Sequence, residues 1–549
     1  MAETELVKIT IDDKQIEVPK GMNLVEAAAS TGTFIPHYCY HPDLSIAGNC
    51  RMCQIEIEGR PKLEIACNTM VQDGMVIRTH HTSKLVEDAQ AATLEFILIN
   101  HPLDCTVCDQ SGHCKLQDYH YKYNAQPSRF EEDKVNKVKA QPLGPHVILD
   151  GERCIMCTRC IRFCDEVAET SELGMLNRGD KSVITVGEGQ QLDNPLSGSV
   201  VDLCPVGALT HRDWRFNSRI WYTRETESIC TGCSTGCNVK VAVRDNQVVQ
   251  VKARYNEFVN KEWMCDEGRY GFHRFIPENR LLSPVLKGSQ CSIEQALAEA
   301  KKLSAQNLYI FISPDLTLEE MTLVKKFIDS KFSEATPVVA YRKRELSELE
   351  AKLISPNFAA NIMGAEAAGL VNGNAQQNYE DALAALRSGK AESVLFIGER
   401  SLFAEDRTDE LLASVSKVGL SIGILADADS SLVRALSVVF PERVIAEKSG
   451  LMINQIKRLQ YLDRLLDFPV GTESAWRILD RISAELGAKL TAAKNDRDFT
   501  LEFFASHENF QHTTIQDVKG QGIALDGSGE TDSDKREVYS PFLTALGKY

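Results

Sequence analysis

The stretch CIMCTRCIRFC, residues 154 to 164, sets three cysteines at intervals of three and adds a fourth four residues later. Three thiolates so close in sequence ask for one soft metal centre, and such a centre takes four ligands. In two-cluster ferredoxins the run reads C-x2-C-x2-C-x3-C-P, and its last cysteine serves the other cluster. Here Cys164 is followed by Asp165, and no cysteine occurs between 165 and 203, so no partner run exists for it to complete. A Cys-Pro does occur later, in VDLCPVGAL, at Cys204 and Pro205. The simplest closed set is Cys154, Cys157, Cys160 and Cys204 around one [4Fe–4S]. Cys164 is left over, one helical turn past Cys160, with small-residue packing under the cluster as its expected role.

Three further sets surround this one. Cys39, Cys50, Cys53 and Cys67 follow C-x10-C-x2-C-x13-C, with Gly48 and Asn49 in the loop AGNCRMC to let backbone N–H groups approach sulfur. Four cysteines in a strand-rich unit suit [2Fe–2S], although the plant-type first interval is shorter; a zinc knuckle is the competing reading. HPLDCTVCDQSGHC offers His101, Cys105, Cys108 and Cys114. Alone, that set serves zinc and iron equally well. Lying between two iron–sulfur patterns, it reads as a His-ligated [4Fe–4S], with His113 as a rival ligand. CTGCSTGC and WMCDEGRYGF supply Cys230, Cys233, Cys237 and Cys265, with Gly232, Gly236 and Gly268 alongside. They suit a third [4Fe–4S], with a zinc ribbon competing. Of the 17 cysteines only Cys164 and Cys291 stay outside these sets, and nothing after Cys291 can bind a soft metal through a cysteine thiolate. Four complete sets in succession describe a path for single electrons.

The rest of the chain agrees with that reading. Its 549 residues exceed one core, and its net charge of −16 argues against nucleic acid or anionic lipid as the main partner. No apolar run reaches the length of a membrane helix, the first residues show no secretory or transit signal, and no G-x-G-x-x-G offers a dinucleotide site. VKITI and KQIEV around Asp12-Asp13 predict a hairpin, and NLVEAAASTG predicts a helix capped by Asn23 and closed by Gly32. Residues 83–101 predict a long helix and residues 125–146 a polar loop. VKVAVRDNQVVQVKA predicts a hairpin turning at Asp245-Asn246. Beyond about 285, NLYIFIS, TPVVAY, SVLFIGE and LSIGILAD alternate with helical stretches, the pattern of an α/β domain with parallel strands.

The order YCYH…GNCRMC, HPLDCTVCDQSGHC, CIMCTRC…VDLCPVGALT and CTGCSTGC…CDEGRY resembles the G-subunit family of bacterial NADH–quinone oxidoreductase, respiratory complex I, whose mitochondrial counterpart is the 75 kDa subunit. The resemblance is dense to about residue 280. The fourth set resembles a cluster that some bacterial members keep off the main electron path. The back half is similar to a degenerate molybdopterin oxidoreductase. AEKSGLMINQIKRLQ, 446–460, keeps Gly450, Asn454, Arg458 and Gln460 of that superfamily's signature, with Leu451-Met452 and Ile456-Lys457 replacing its Thr-Phe and Glu-Gly. No molybdopterin is expected, because the signature is altered and the region is short.

The fold implied is multidomain α+β and α/β. A [2Fe–2S] ferredoxin-like (β-grasp) domain covers 1–84, a His/Cys3 [4Fe–4S] domain 85–125, and a [4Fe–4S] ferredoxin-like domain 145–220. A molybdopterin-oxidoreductase-type [4Fe–4S] domain covers 222–279, a degenerate α/β domain 280–520, and an extended or disordered tail 521–549. The resemblance implies a peripheral-arm subunit carrying one [2Fe–2S] and three [4Fe–4S] clusters. It has no hydride or quinone site and no membrane span of its own. Its partners are the flavin- and NADH-binding subunit and the quinone-proximal iron–sulfur subunits, on the cytoplasmic face of the bacterial inner membrane. The competing readings are an electron-transfer subunit of an NAD-linked hydrogenase or formate dehydrogenase, a formate dehydrogenase or iron hydrogenase in its own right, and a zinc-stabilised scaffold.

Overall fold

Asp12 and Asp13 take positive φ (46° and 66°) between strands β1 (Leu6–Ile11) and β2 (Lys14–Pro19), the backbone that a tight two-residue hairpin requires. This opening is part of a computed structural model that describes residues 5–339, 341, 343–371, 374–398 and 408–525. These residues form two units, one up to Thr223 and one from Arg224 onward.

In the first unit the hairpin joins a five-stranded sheet with β3 (Gln54–Ile57), β4 (Glu64–Ile65) and β5 (Val76–Arg78), in the order β2-β1-β5-β3-β4. β1 runs parallel to β5. Helix α1 (Leu24–Ser30) starts where Asn23 Oδ1 accepts the N–H groups of Val25 and Glu26, and the chain leaves it through Gly32 at φ +77°. Ile9, Ile11, Ile55, Ile57 and Ile77 pack with Leu24 and Ala28 into one core. The Asp12 carboxylate accepts from Thr79 N (2.7 Å) and Thr82 Oγ1 (2.5 Å), tying the first turn to the end of the sheet.

Helix α2 (Lys84–Leu98) is capped by Ser83 and lies against α3 (Lys115–Tyr123). The polar stretch after α3 runs without a regular element as far as β6 (Gln141–Pro142). It is held in part by Lys134, whose Nζ donates to the carbonyls of Leu98 (3.0 Å) and Ile99 (2.6 Å), a cation on the orphan acceptors of a helix end. β7 (Val147–Leu149) then sits between β6 and β10 (Leu209–His211). Between β7 and β10 lie α4 (Arg159–Glu166), the hairpin β8–β9 (Leu173–Leu176, Val183–Val186) and α5 (Ser199–Leu203).

The second unit opens with the antiparallel sheet β11 (Arg224–Ile229), β12 (Asn238–Arg244) and β13 (Gln247–Ala253). Asp245 and Asn246 turn between the last two at φ +50° and +59°. Further on, β16 (Leu308–Ile312), β17 (Thr336–Val339), β18 (Ser393–Ile397), β19 (Leu420–Leu425) and β20 (Val438–Pro441) pair in parallel, as the alternating pattern predicts. The residues of β16, β18, β19 and β20 are almost wholly buried, the mark of strands covered on both faces. The seven-stranded order is β15-β14-β20-β19-β18-β16-β17. Its first two strands, β14 (Val285–Leu286) and β15 (Ser289–Gln290), add an antiparallel edge that the sequence pattern does not announce.

β21 (Gly450–Ile453) and β22 (Arg458–Leu462) carry the altered signature as a hairpin. β23 (Ile523–Ala524) pairs with β22 within the first residues of the stretch expected to be an extended or disordered tail. The tail beyond residue 525 lies outside the described residues.

Candidate metal centres

Each predicted cysteine set is gathered by loops at the ends of these elements. In the first set Cys39 and the Cys50–Cys53 loop precede β3, and Cys67 lies in the short turn after β4. Cys39 interacts with Cys50 and Cys67, and Cys67 with Cys53. Those two thiols and the N–H groups of Cys50 and Asn49 push the Cys39 thiol towards its anion, with burial opposing. Gly48 (φ +61°) and Arg51 (φ +57°) shape the loop that delivers these donors.

In the second set Cys108 and Cys114 are buried and Cys105 is exposed. Cys114 is the residue before α3, and the N–H groups of Leu116 and Gln117 in that first turn face its sulfur; burial still raises its thiol to about 12. Cys114 and Cys108 both feel the charge of Cys105. His101 is kept neutral at pH 7, its basicity lowered to about 4 by burial and then by Arg153 and Lys134. A neutral ring is the form that can ligate a metal. The charges that act on it most are Arg153, Lys134, Asp104 and Lys139. His113 sits in a turn with Gln110, donating its backbone N–H to the Gln110 carbonyl at 3.1 Å.

The backbone of Gly207 comes against this set. A Cβ there would stand 2.1 Å from Cys108 Sγ. Sequence reasoning passed over this residue, although it lies three positions after Cys204. Arg153 is buried beside Cys108 and pairs with Asp104 (2.9 Å) and Asp150 (3.4 Å).

The third set rings a small cavity lined by Cys154, Cys157, Cys160 and Cys204, and Cys164 is not part of its wall. Met156 and Thr158 hold φ of +55° and +61°, which folds the run so that Met156 N–H donates to Cys154 Sγ at 3.4 Å. The N–H groups of Val206, Leu209 and Ala208 face the Cys204 sulfur, and burial raises that thiol to about 11. Cys164 is buried within α4, and burial raises its thiol to about 12.

The fourth set rings a second cavity, lined by Cys230, Cys233, Cys237 and Cys265 together with Leu353, Ile354 and Phe358. Gly232 N donates to Cys230 Sγ (3.4 Å) and Gly268 N to Cys265 Sγ (3.3 Å). A Cβ on Gly268 would meet Cys230 Sγ at 3.0 Å. The loop is held from outside by residues that spacing alone does not reveal. Ser234 Oγ meets Ser355 Oγ at 2.7 Å, and Thr235 Oγ1 donates to Leu353 O at 2.8 Å.

In the third and fourth sets, four thiols disposed around a cavity with backbone N–H groups aimed at sulfur fit a polynuclear iron–sulfur cluster.

Comparison with known proteins adds four family models in the same order. They are a 2Fe-2S iron-sulfur cluster binding domain over 4–82, the NADH-ubiquinone oxidoreductase-G iron-sulfur binding region over 90–129, the ferredoxin-like domain of NADH-quinone oxidoreductase subunit 3 over 144–210, and the molybdopterin oxidoreductase Fe4S4 domain over 223–275. Among curated relatives, the NADH-quinone oxidoreductase G-subunit of Streptomyces coelicolor is 37% identical over 363 residues, 65% of this chain and 43% of that one. The corresponding G-subunit of Rickettsia bellii is 37% identical over 59% of this chain and 48% of its own length. The NADH-ubiquinone oxidoreductase 75 kDa subunit of Reclinomonas americana is 42% identical over 51% of this chain and 40% of that one. The chain thus spans under half the length of these relatives. A solved NAD+-reducing [NiFe]-hydrogenase chain, 29% identical, covers 39% of this chain and 91% of its own length with a TM-score of 0.35.

Proposed function

We propose that this chain, a homologue of the NADH–quinone oxidoreductase G-subunit and of its mitochondrial 75 kDa counterpart, is an iron–sulfur electron-transfer subunit in the peripheral arm of that oxidoreductase. The observation that carries the reading is the succession of four cysteine sets, each in its own iron–sulfur domain class and three of them in one unit. Cys39, Cys50, Cys53 and Cys67 would hold the [2Fe–2S]. Cys105, Cys108 and Cys114 with His101, then Cys154, Cys157, Cys160 and Cys204, and then Cys230, Cys233, Cys237 and Cys265 would hold [4Fe–4S] clusters. These groups supply reversible one-electron redox chemistry. The protein's own part is to anchor sulfur, aim N–H dipoles at it, and keep water out with buried surroundings, which together set the potential.

On this reading the partners are the flavin- and NADH-binding subunit upstream and the quinone-proximal iron–sulfur subunits downstream. Attachment to the cytoplasmic face of the bacterial inner membrane would come through the complex. No helix among the described residues is long and apolar enough to cross a membrane, which suits such a peripheral place.

The test is purification of the complex from its native membrane, with EPR of the reduced sample. One [2Fe–2S] and three [4Fe–4S] signals tracking this chain, lost together when it is deleted, are expected. Zinc in place of iron, or co-purification with a hydrogenase large subunit, would overturn the proposal.

A further inference from the structure

The opening stretch CIMCTRCIRFC contains two arginines as well as its cysteines, and both are buried: Arg159 is 4% exposed and Arg162 8%. Neither pairs with a carboxylate among the described residues; both donate to backbone carbonyls alone. Arg162 Nη2 donates to Cys39 O at 2.6 Å and to Cys157 O at 3.3 Å, so one nitrogen joins a residue of the first set to a residue of the third. Its Nη1 donates to Ser45 O. Arg159, one helical turn earlier, repeats the pattern. It donates to Tyr40 O, next to Cys39, and to Leu203 O at 3.3 Å, next to Cys204. The acids on the same helix, Asp165 and Glu166, are both exposed, and Glu166 accepts from Ser45 N at 2.7 Å. The Nε atoms of both arginines are buried without an acceptor.

Two cations buried this way, with carbonyl dipoles but no anion, are strongly unfavourable unless negative charge lies close by. The groups in reach are the thiols. Each guanidinium is held against the ligand loops of both sets, Arg162 on the carbonyls of Cys39 and Cys157 and Arg159 on those beside Cys39 and Cys204. We infer that Arg159 and Arg162 form a cationic bridge between the first and third cysteine sets, holding the two ligand loops together and raising the reduction potentials of both clusters at once. The clusters are then the counter-charge that makes the buried arginines tolerable. Because each guanidinium touches both loops, electron gain at one set is felt by the same cation that stabilises the other. The arginines are positioning residues and ligate nothing.

The inference rests on the iron–sulfur reading of these two sets, and the wild-type spectrum tests that reading before any variant is made. The experiment is an EPR-monitored redox titration of the holoprotein within its complex, comparing wild type with R162Q, R162K and R159Q. R162Q should make both clusters harder to reduce, by at least tenfold in the one-electron equilibrium constant, or 59 mV. The clusters of the Cys105–Cys114 and Cys230–Cys265 sets should stay in place. R159Q should act in the same direction on the same pair. R162K keeps the charge and should restore more than half of both shifts.

A shift confined to one of the two clusters, a shift at all four, or an R162K titration no better than R162Q would overturn the bridge. Should R162Q not assemble, as iron and sulfide content would report, R162K decides. Retention of both clusters with their potentials near wild type supports the bridge, and displacement of only one refutes it.

Discussion

Replacing Gly207 by alanine separates a ligand thiol from a free one. The added Cβ would lie 2.1 Å from Cys108 Sγ and 3.1 Å from Gln110 Cβ. Carbon and sulfur pack at no less than about 3.5 Å, so the sulfur must retreat by roughly 1.5 Å. If Cys108 were an unattached buried thiol, it would swing aside at about 0.5–1.5 kcal/mol, and the chain would barely register the change. If Cys108 is a ligand, its sulfur is fixed from both sides, and a displacement that large is incompatible with a bond to iron. Gly207→Ala should therefore remove the cluster of the second set and leave the other three. The control is Gly232→Ala, whose Cβ would sit 3.4 Å from Cys230 Sγ, close to ordinary contact, and which should retain its cluster. Iron and sulfide analysis with EPR of the reduced protein reads both variants. A full complement of iron in G207A, with the second-set signal unchanged, would refute Cys108 as a ligand.

Further outcomes follow from the same geometry. Cys164→Ser should leave cluster content intact, since Cys164 stays outside the cavity wall, whereas Cys204→Ser should lose one [4Fe–4S] by iron and sulfide analysis. His101→Cys should keep a cluster of more negative potential, because a charged thiolate replaces a neutral ring; an unchanged midpoint would remove His101 from the ligand set and turn attention to His113. Lys448→Met strips the buried cation that lies 2.6 Å from Glu442 and 3.2 Å from Glu320, at a cost of about 3–5 kcal/mol in urea unfolding. Burial already raises Glu442 to about 7, and a carboxyl raised in the folded state favours folding below its unfolded value and loses that contribution as pH rises through 7. The K448M penalty should therefore grow above pH 7 and shrink towards pH 5, and a pH-independent loss would contradict the assignment. Metal analysis of the purified complex, with fluorescence of oxidised pterin extracts, should find no molybdenum, tungsten or pterin; a stoichiometric yield would make the second unit an active site.

The cysteine sets could be read from the sequence because most ligands of each lie within a short loop, and loop length limits where the rest can come from. The hairpin turns at Asp12-Asp13 and Asp245-Asn246 were legible for a similar reason, since residues tolerant of positive φ stood between alternating strands. What stayed hidden depends on distant parts of the chain. β14, β15 and β23 are each two residues long, too short to show any period, and exist only because a longer strand offers its edge. Gly207 carries no signal in the sequence, since nothing local shows that Cys108 packs against it. Arg159 and Arg162 stood in plain view, yet arginines on a short helix are ordinarily solvated. Only the folded positions of the Cys39 and Cys204 loops show what they hold.

The altered signature in the second unit can be understood on the same terms. Asn454 donates through Nδ2 to Thr235 O at 3.1 Å and accepts from Arg458 N at 2.9 Å. Gln460 donates through Nε2 to Gly236 O at 3.1 Å. Thr235 and Gly236 lie between Cys233 and Cys237, so both amides brace the loop that carries half of the fourth cysteine set. Gly236 has φ +63°, and a Cβ there would stand 2.9 Å from Gln460 Oε1, which requires glycine at that point on two counts. Lys457, at φ +57°, stands where the signature has glycine and keeps the left-handed turn between β21 and β22. The retained Asn454 and Gln460 are thus accounted for by the cysteine loop itself. An unpaired buried carbonyl costs about 1–3 kcal/mol, so Asn454 and Gln460 have a role in holding the cysteine loop that needs no cofactor in the second unit.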